Sequence, residues 1–314
     1  MTGFPEMFLE RVGKPLLRGV LLKDVSNFRI GGPADYFFEA GSEGELRAAL
    51  AAARAAGVRR YVMGGGFNLL FDDAGYRGLV VRVALRGLAA EGGDGSPLLI
   101  RASAGESAAD LLRLAVARGG GGLEFLAGIP GTVGGAVFGN AGAFGRAIGD
   151  LLESALLLAG DGRVYRSARD DFEFAYRHSS LKIRHDILLE AAFRLAPADK
   201  AAVEAKIAEN LALRAGKHPP RETACAGSYF KNPARPDGTK VAAGYLLDQA
   251  GARGMRVGGA AVSDCHCNFL VNEGSASAAD VRRLAAELKA RVLAAFGLAL
   301  EEEVVFLPAA GPSL

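Results

Sequence analysis

The stretch Ala127-Gly-Ile-Pro-Gly-Thr-Val-Gly-Gly-Ala-Val-Phe-Gly-Asn-Ala-Gly-Ala143 decides how this chain is read. Each glycine in it raises the entropy lost on ordering the backbone and removes a side chain that would keep a ligand at a distance. A solvated linker of such composition would not carry Ile129, Val133, Val137 and Phe138 between its glycines. The segment is therefore expected to be packed and to cradle a ligand with main-chain N–H groups. A second glycine segment, Gly64-Gly-Gly-Phe-Asn-Leu-Leu70, follows the short apolar run Tyr61-Val-Met63 and has the same character.

Working outward, Glu43 to Ala56 reads as a helix closed by Gly57, and it feeds the strand at Tyr61. Strands are expected at Leu79 to Val83, Leu98 to Ser103, Leu151 to Leu158, Arg163 to Tyr165 and Ile187 to Leu195, with Asp161-Gly162 as a hairpin turn. Ser107-Ala-Ala-Asp110 is a capping signal for a helix over Leu111 to Arg118. A long helix from Ala198 to about Lys217 must stop at His218-Pro219-Pro220, because proline lacks an N–H and restricts its predecessor. Beyond the prolines come a helix around Tyr245 to Gln249, a strand at Asn268 to Val271, a strong helix over Ala278 to Phe296 and a last strand at Val304 to Leu307.

The chain has 314 residues, is 50% hydrophobic and carries a formal charge of only +2. Its basic residues are scattered, so no stripe for nucleic acid stands out. The opening Met1 to Arg11 lacks the basic start and apolar run of a signal peptide, and no later run reaches a membrane span, so the cytoplasm is the expected address. Cys225, Cys265 and Cys267 form an odd set without the separated pairs of a zinc module; they read as reduced thiols, with no metal site. Neither G-x-G-x-x-G nor G-x-x-x-x-G-K-[ST] is intact, since Leu69 stands where the third glycine belongs. Two separate glycine segments point instead to a dinucleotide whose pyrophosphate meets backbone N–H groups between two subdomains.

These residues, taken in order, resemble the UDP-N-acetylenolpyruvoylglucosamine reductase family, flavoenzymes that complete UDP-N-acetylmuramate for the bacterial cell wall. The resemblance runs over nearly the whole chain through Asn27-Phe-Arg-Ile-Gly-Gly-Pro-Ala34, Gly64-Gly-Gly-Phe-Asn68, Gly122 to Gly135, Asn140-Ala-Gly142, Tyr176-Arg-His-Ser179, Ala226-Gly-Ser-Tyr-Phe-Lys-Asn-Pro233, His266-Cys-Asn-Phe269 and Leu300-Glu-Glu-Glu-Val304. It implies an α+β protein with a vanillyl-alcohol-oxidase-type FAD-binding region in two subdomains, residues 1–80 and 81–216, and an α/β substrate domain over 217–314. It further implies that NADPH reduces FAD and is then replaced by the UDP-sugar enolpyruvyl ether. A monomer is expected, with a dimer left open.

By the same resemblance, Ser228 is the proton donor, and Arg177 and Glu303 polarise the carboxyl end of the substrate. The family form Leu-Glu-Pro-Glu-Val sets the register that selects Glu303 over Glu301 and Glu302. Gly64, Gly65, Gly66, Phe67, Asn68 and Leu69 of the first segment are implied FAD contacts. So are Gly128, Ile129, Pro130, Gly131, Thr132, Gly134, Gly135, Asn140 and Gly142 of the second. Lys217, Lys231, Asn232, His266 and Asn268 are implied near the substrate, with a structural part open for the last two. Phe67 departs from the family's serine, so a hydroxyl that would bind pyrophosphate is absent and a rearranged FAD contact is expected. No long insertion lies between Tyr176 and Arg214, which matches the form without a substrate-covering loop. Two other readings stay open: a flavin oxidase or dehydrogenase of the same fold, and a catalytically silent flavin- or UDP-sugar-binding protein. Against the first, covalent flavin attachment has only His178 and His185 and no cysteine to use in the first 216 residues.

Overall fold

The computed structural model describes residues 3–311; the ends of the expected first and last segments, 1–2 and 312–314, lie outside the described residues. The first sheet has the strand order Leu17–Leu21, Pro33–Ala40, Tyr76–Val83, Arg60–Met63, with the outer pair antiparallel and the other two parallel. The helix Glu43–Ala55 covers it, capped by the Ser42 hydroxyl, and buries Leu46, Ala49, Ala52 and Ala53 at helical spacing. The expected division after residue 80 falls inside the strand Tyr76–Val83, so it is corrected: ladder hydrogen bonds to Phe38 and Ala40 carry this sheet on to Val83.

The second sheet is antiparallel, ordered Val164–Ala168, Leu152–Leu158, Ile187–Pro197, Leu98–Ser103, Leu88–Gly92. Its central strand is buried along most of its length, as the run Ile-Leu-Leu-Glu-Ala-Ala-Phe requires for packing on both faces. The helix Ala108–Ala117 starts on the Ser107 hydroxyl, which accepts from the Asp110 N–H at 3.0 Å. The helix Lys200–Ala215 ends before the two prolines, and the chain then enters a third sheet, Cys225–Ser228, Phe269–Asn272, Ala260–Val262, Arg256–Val257, all antiparallel.

The helix Ala278–Phe296 closes this last sheet. A reciprocal Ser277–Asp280 capping box opens it, and Gly297, at φ +67°, ends it with an N–H to the Leu293 carbonyl. Val281, Leu284, Leu288 and Val292 form its fully buried stripe, each worth about 1.5–3 kcal/mol of burial. The final strand Val305–Leu307 leaves this unit and pairs in parallel with Leu69–Phe71, directly after the first glycine segment. The helix Phe4–Val12 and the strands Leu17–Leu21, Pro33–Ala40 and Leu88–Gly92 were not anticipated from periodicity. Leu17–Leu21 is almost wholly exposed, and Pro33–Ala40 starts on a proline and buries the adjacent Phe37 and Phe38, so neither shows clean alternation.

A tertiary contact ties the first unit to the closing helix: the Asp73 carboxylate accepts from the Ala278 N–H at 2.7 Å and the Ala279 N–H at 3.1 Å. These are first-turn N–H groups that the helix cannot satisfy itself. Asp73→Ala is expected to lower stability by about 1–2 kcal/mol in urea titrations, with the slope unchanged.

Candidate active site

The glycine stretch is less a loop than its composition suggests. Gly128 to Thr132 is irregular, but Val133–Gly139 is a short helix, capped by the Thr132 hydroxyl accepting from the Gly135 N–H at 3.2 Å and anchored by buried Val133, Ala136 and Val137. This helix packs on the central strand of the second sheet. Asn140 ends it in the left-handed conformation, φ +46°. Its amide donates to the Ala175 carbonyl at 2.9 Å and accepts from the Gly149 N–H at 3.1 Å. The Asn140 side chain is thus consumed inside the protein, where it ties the glycine segment to the turn that bears Arg177.

The two glycine segments meet. A β-carbon on Gly64 would lie 2.5 Å from the Thr132 hydroxyl oxygen, so only glycine permits this approach. Gly66, at φ +73°, donates no side chain to a gap where a β-carbon would strike the Val25 carbonyl at 2.5 Å. The Phe67 ring folds back over Gly65 and reaches toward Gly131. Leu69 is buried and starts the strand that pairs with the chain's end. Gly135 and Pro130 are exposed, and Ile129, Gly131 and Gly134 partly so. Apart from the Phe67 ring and the Thr132 hydroxyl, the facing glycines put no side chain between the two segments, and the backbone left open there fits the extended phosphate of a dinucleotide such as FAD.

Arg177 and Glu303 come together. The Arg177 Nε lies 2.6 Å from the Glu303 Oε1; the N–H is buried but not aimed at that oxygen, so the contact is an ion pair rather than a linear hydrogen bond. Arg177 Nη1 donates to the Gly142 carbonyl at 2.9 Å. The register chosen from sequence is also the one that aims Glu303 at Arg177: Glu301 pairs with Lys231 at 3.0 Å, and Glu302 pairs with Lys289. Successive side chains in an extended segment point to opposite faces, which sends Glu302 away from the other two; Glu301 and Glu303 are distinguished by their partners, Lys231 and Arg177. Ser228 ends the strand Cys225–Ser228 opposite Phe269, and the next residue, Tyr229, accepts the Glu303 N–H at 2.8 Å. The serine and the glutamate are therefore delivered by adjacent backbones.

The other expected residues divide. Asn68 donates from its side chain to the Glu303 carbonyl at 3.0 Å, so it clamps the first glycine segment to the acidic triplet. Asn268 is buried, accepts from the Phe230 N–H and donates to the Phe230 carbonyl, both at 2.9 Å; its carboxamide holds the Ser228 segment against the neighbouring strand. Asn232 accepts from the Ala243 N–H at 2.9 Å at the start of the helix Ala243–Gln249. His266 packs edge-on against His218 and Phe269. Lys217 is exposed past the end of its helix, and Lys231 is partly buried.

Three cationic neighbours, Lys240, Lys182 and Arg214, were not anticipated from the sequence. The Tyr176 hydroxyl accepts from the Asn232 N–H at 3.2 Å, and Lys240 lies over the Tyr176 ring at 3.4 Å from its centre, bridging the middle of the chain to its last third. Lys182 donates to the Arg177 carbonyl at 2.8 Å. Arg214 reaches the same region, where burial lowers its pKa and Arg177 adds repulsion. A longer reading of the run Tyr176-Arg-His-Ser-Ser-Leu-Lys182 would have found Lys182; Arg214 and Lys240 leave no local signal. A cleft of about 570 Å³ beside these residues is lined by Tyr176, Lys231, Asn232 and Glu301 among others.

Residues 219–307 match the family described as UDP-N-acetylenolpyruvoylglucosamine reductase, C-terminal domain, and residues 34–168 match the FAD binding domain family. The UDP-N-acetylenolpyruvoylglucosamine reductase of Pelobacter propionicus is 42% identical over 293 residues, which covers 92% of this chain and 96% of that protein. The reductase of the same name from Geobacter metallireducens is 42% identical over 300 residues, covering 92% and 94%. Among solved structures, the UDP-N-acetylenolpyruvylglucosamine reductase of Thermus caldophilus superposes with a TM-score of 0.75 at 33% identity, covering 93% of this chain and 98% of that one.

Two outcomes follow from this geometry. Gly64→Ala forces Thr132 off its helix cap and parts the two glycine segments, so flavin absorbance per mole of purified protein is expected to fall while far-ultraviolet circular dichroism is kept. Burial, with Arg214 adding repulsion, pushes the His218 imidazole down from 6.5 to about 4. The unfolded chain then binds the proton more readily than the folded one, so stability is full above pH 6.5 and is lost as the pH falls toward about 4. Thermal midpoints of His218→Phe are expected to fall less steeply than wild type across that window.

Proposed function

As this chain belongs to the UDP-N-acetylenolpyruvoylglucosamine reductase family, we propose that it reduces UDP-N-acetylglucosamine enolpyruvate to UDP-N-acetylmuramate with NADPH, a step of peptidoglycan precursor synthesis. The observation that carries this reading at the level of residues is the Arg177–Glu303 ion pair, which joins two positions far apart in sequence beside the Ser228 strand. Gly64–Phe67 and Gly128–Gly135 would hold FAD, which when bound would supply hydride chemistry at the vinyl carbon.

The chain's own groups do the rest. As the new C–H bond forms, negative charge spreads from the double bond onto the adjacent carboxylate, and a fixed cation facing it lowers the barrier. Arg177 is that cation, held by Glu303 and the Gly142 carbonyl. The Ser228 hydroxyl then gives its proton to the carbon that bears the ether oxygen, the double bond becomes a single bond, and the serine regains a proton from solvent. Serine is a weak acid, so this transfer depends on the strongly basic carbon it serves and on the nearby positive charge. Lys217 and Lys231 supply charge for the phosphates of the UDP group.

We further place the working units at residues 1–83, 84–216 and 217–314, the first two holding FAD and the third the sugar nucleotide. The proposed setting is the cytoplasm, where NADPH and the UDP-sugar are made; among the described residues no helix is long and apolar enough to cross a membrane.

Anaerobic stopped-flow spectroscopy tests the reading. NADPH should bleach the flavin bands of the wild-type protein, and the enolpyruvyl sugar should restore them. Ser228→Ala should leave bleaching intact and slow the restoration by about 10²–10⁴-fold. Bleaching that only oxygen reverses would point to a different flavin enzyme.

A further inference from the structure

Arg177 stands in the left-handed region of backbone space, φ +57°, although it carries a full side chain. A non-glycine residue stays there only when its surroundings over-determine it. The turn around it contributes two bonds, Ala175 N–H to the His178 carbonyl at 3.2 Å and His178 N–H to the Ala175 carbonyl at 3.1 Å. Neither engages the carbonyl of Arg177 itself. That group accepts from the Lys182 ammonium at 2.8 Å.

Lys182 lies in the one-turn helix Leu181–Arg184, and its ammonium passes over the Phe138 ring, 5.7 Å from the centre. It is partly buried in a place that already holds cations. Burial lowers its pKa, Lys231 and Arg177 repel it, and Glu303 opposes them. An apolar side chain would fill the same space without desolvating a charge. Packing alone therefore does not account for a lysine here, whereas a donor long enough to reach the Arg177 carbonyl does.

We propose that Lys182 is a positioning residue for reduction of the sugar: it locks Arg177 in the left-handed conformation, so that the guanidinium is presented between the Gly142 carbonyl and Glu303 to the substrate carboxylate. The inference rests on the reading of Arg177 as the cation that faces the reacting substrate.

The test uses the FAD-loaded full chain, with NADPH and UDP-N-acetylglucosamine enolpyruvate. Lys182→Met is expected to lower kcat about 30-fold and to leave KM within about threefold, because misplacing a fixed group acts on the transition state. Lys182→Arg, which keeps a long cationic donor, restores kcat to within about threefold of wild type. In an Arg177→Ala background, Lys182→Met causes no further loss, since it acts through the group already removed. A readout independent of turnover is hydrogen exchange: the amides of residues 175–178 exchange about tenfold faster in Lys182→Met, while flavin content and thermal midpoint stay near wild type. Additive losses in the double variant, or unchanged exchange at 175–178, overturn the proposal. Wild-type turnover in Arg177→Ala alone would instead overturn the catalytic reading on which it rests, and exchange would still report whether Lys182 holds the turn. If Lys182→Met does not retain flavin, Lys182→Gln takes its place in the same cycle with the same expected non-additivity.

Discussion

The parallel pairing of Val305–Leu307 with Leu69–Phe71 is the constraint on which the site depends. It brings the end of the chain back to the first glycine segment, and Asn68 closes the junction on both sides, donating to the Glu303 carbonyl and accepting the Val305 N–H at 3.1 Å. Those two residues are 235 positions apart. Closing so long a loop has an entropic cost that grows slowly with length, so a short ladder supported by buried Leu70, Phe71 and Leu307 suffices to hold it. Once the ladder forms, the acidic triplet has no freedom left: Glu301 and Glu303 bond through their backbones to Lys231 and Tyr229, on either side of Phe230.

Charge then sorts itself by geometry. The chain as a whole is nearly neutral, yet Arg177, Lys182, Lys231 and Arg214 converge near Glu303. Burial strengthens these interactions because water is displaced from between the groups. The three adjacent glutamates each meet a different cation or face, which leaves Arg177 with a single carboxylate partner and the Gly142 carbonyl. An arginine so held keeps its planar fork in one orientation.

Several asparagines that look like ligand contacts turn out to be joints. Asn140 links the glycine segment to the Arg177 turn, Asn268 links the Ser228 strand to its neighbour, and Asn68 links the cofactor loop to the acidic triplet. A carboxamide carries both a donor and an acceptor, so Asn140 satisfies backbone groups on two segments at once and Asn268 satisfies both the N–H and the carbonyl of Phe230. Such joints keep loops precise at a site where glycine has removed most side-chain packing.

Local chemistry in the sequence determined a good deal. The capping serine at 107, the strong helix over Ala278–Phe296, the prolines at 219 and 220 and the hairpin at Asp161-Gly162 are short-range signals, and each marks a feature that forms where they lie. The glycine segments were legible in the same way, whereas the candidates Ser228, Arg177 and Glu303 were implied by the resemblance of the ordered motifs to the family. What only the tertiary structure decided was which groups meet. The exposed strand Leu17–Leu21, the extension of the first sheet to Val83, the helix inside the glycine stretch, and the approach of Lys182, Lys240 and Arg214 all depend on partners distant in the chain. A residue's type fixes what it is able to bond, but pairing across sheets fixes what lies within reach, and no local pattern records that.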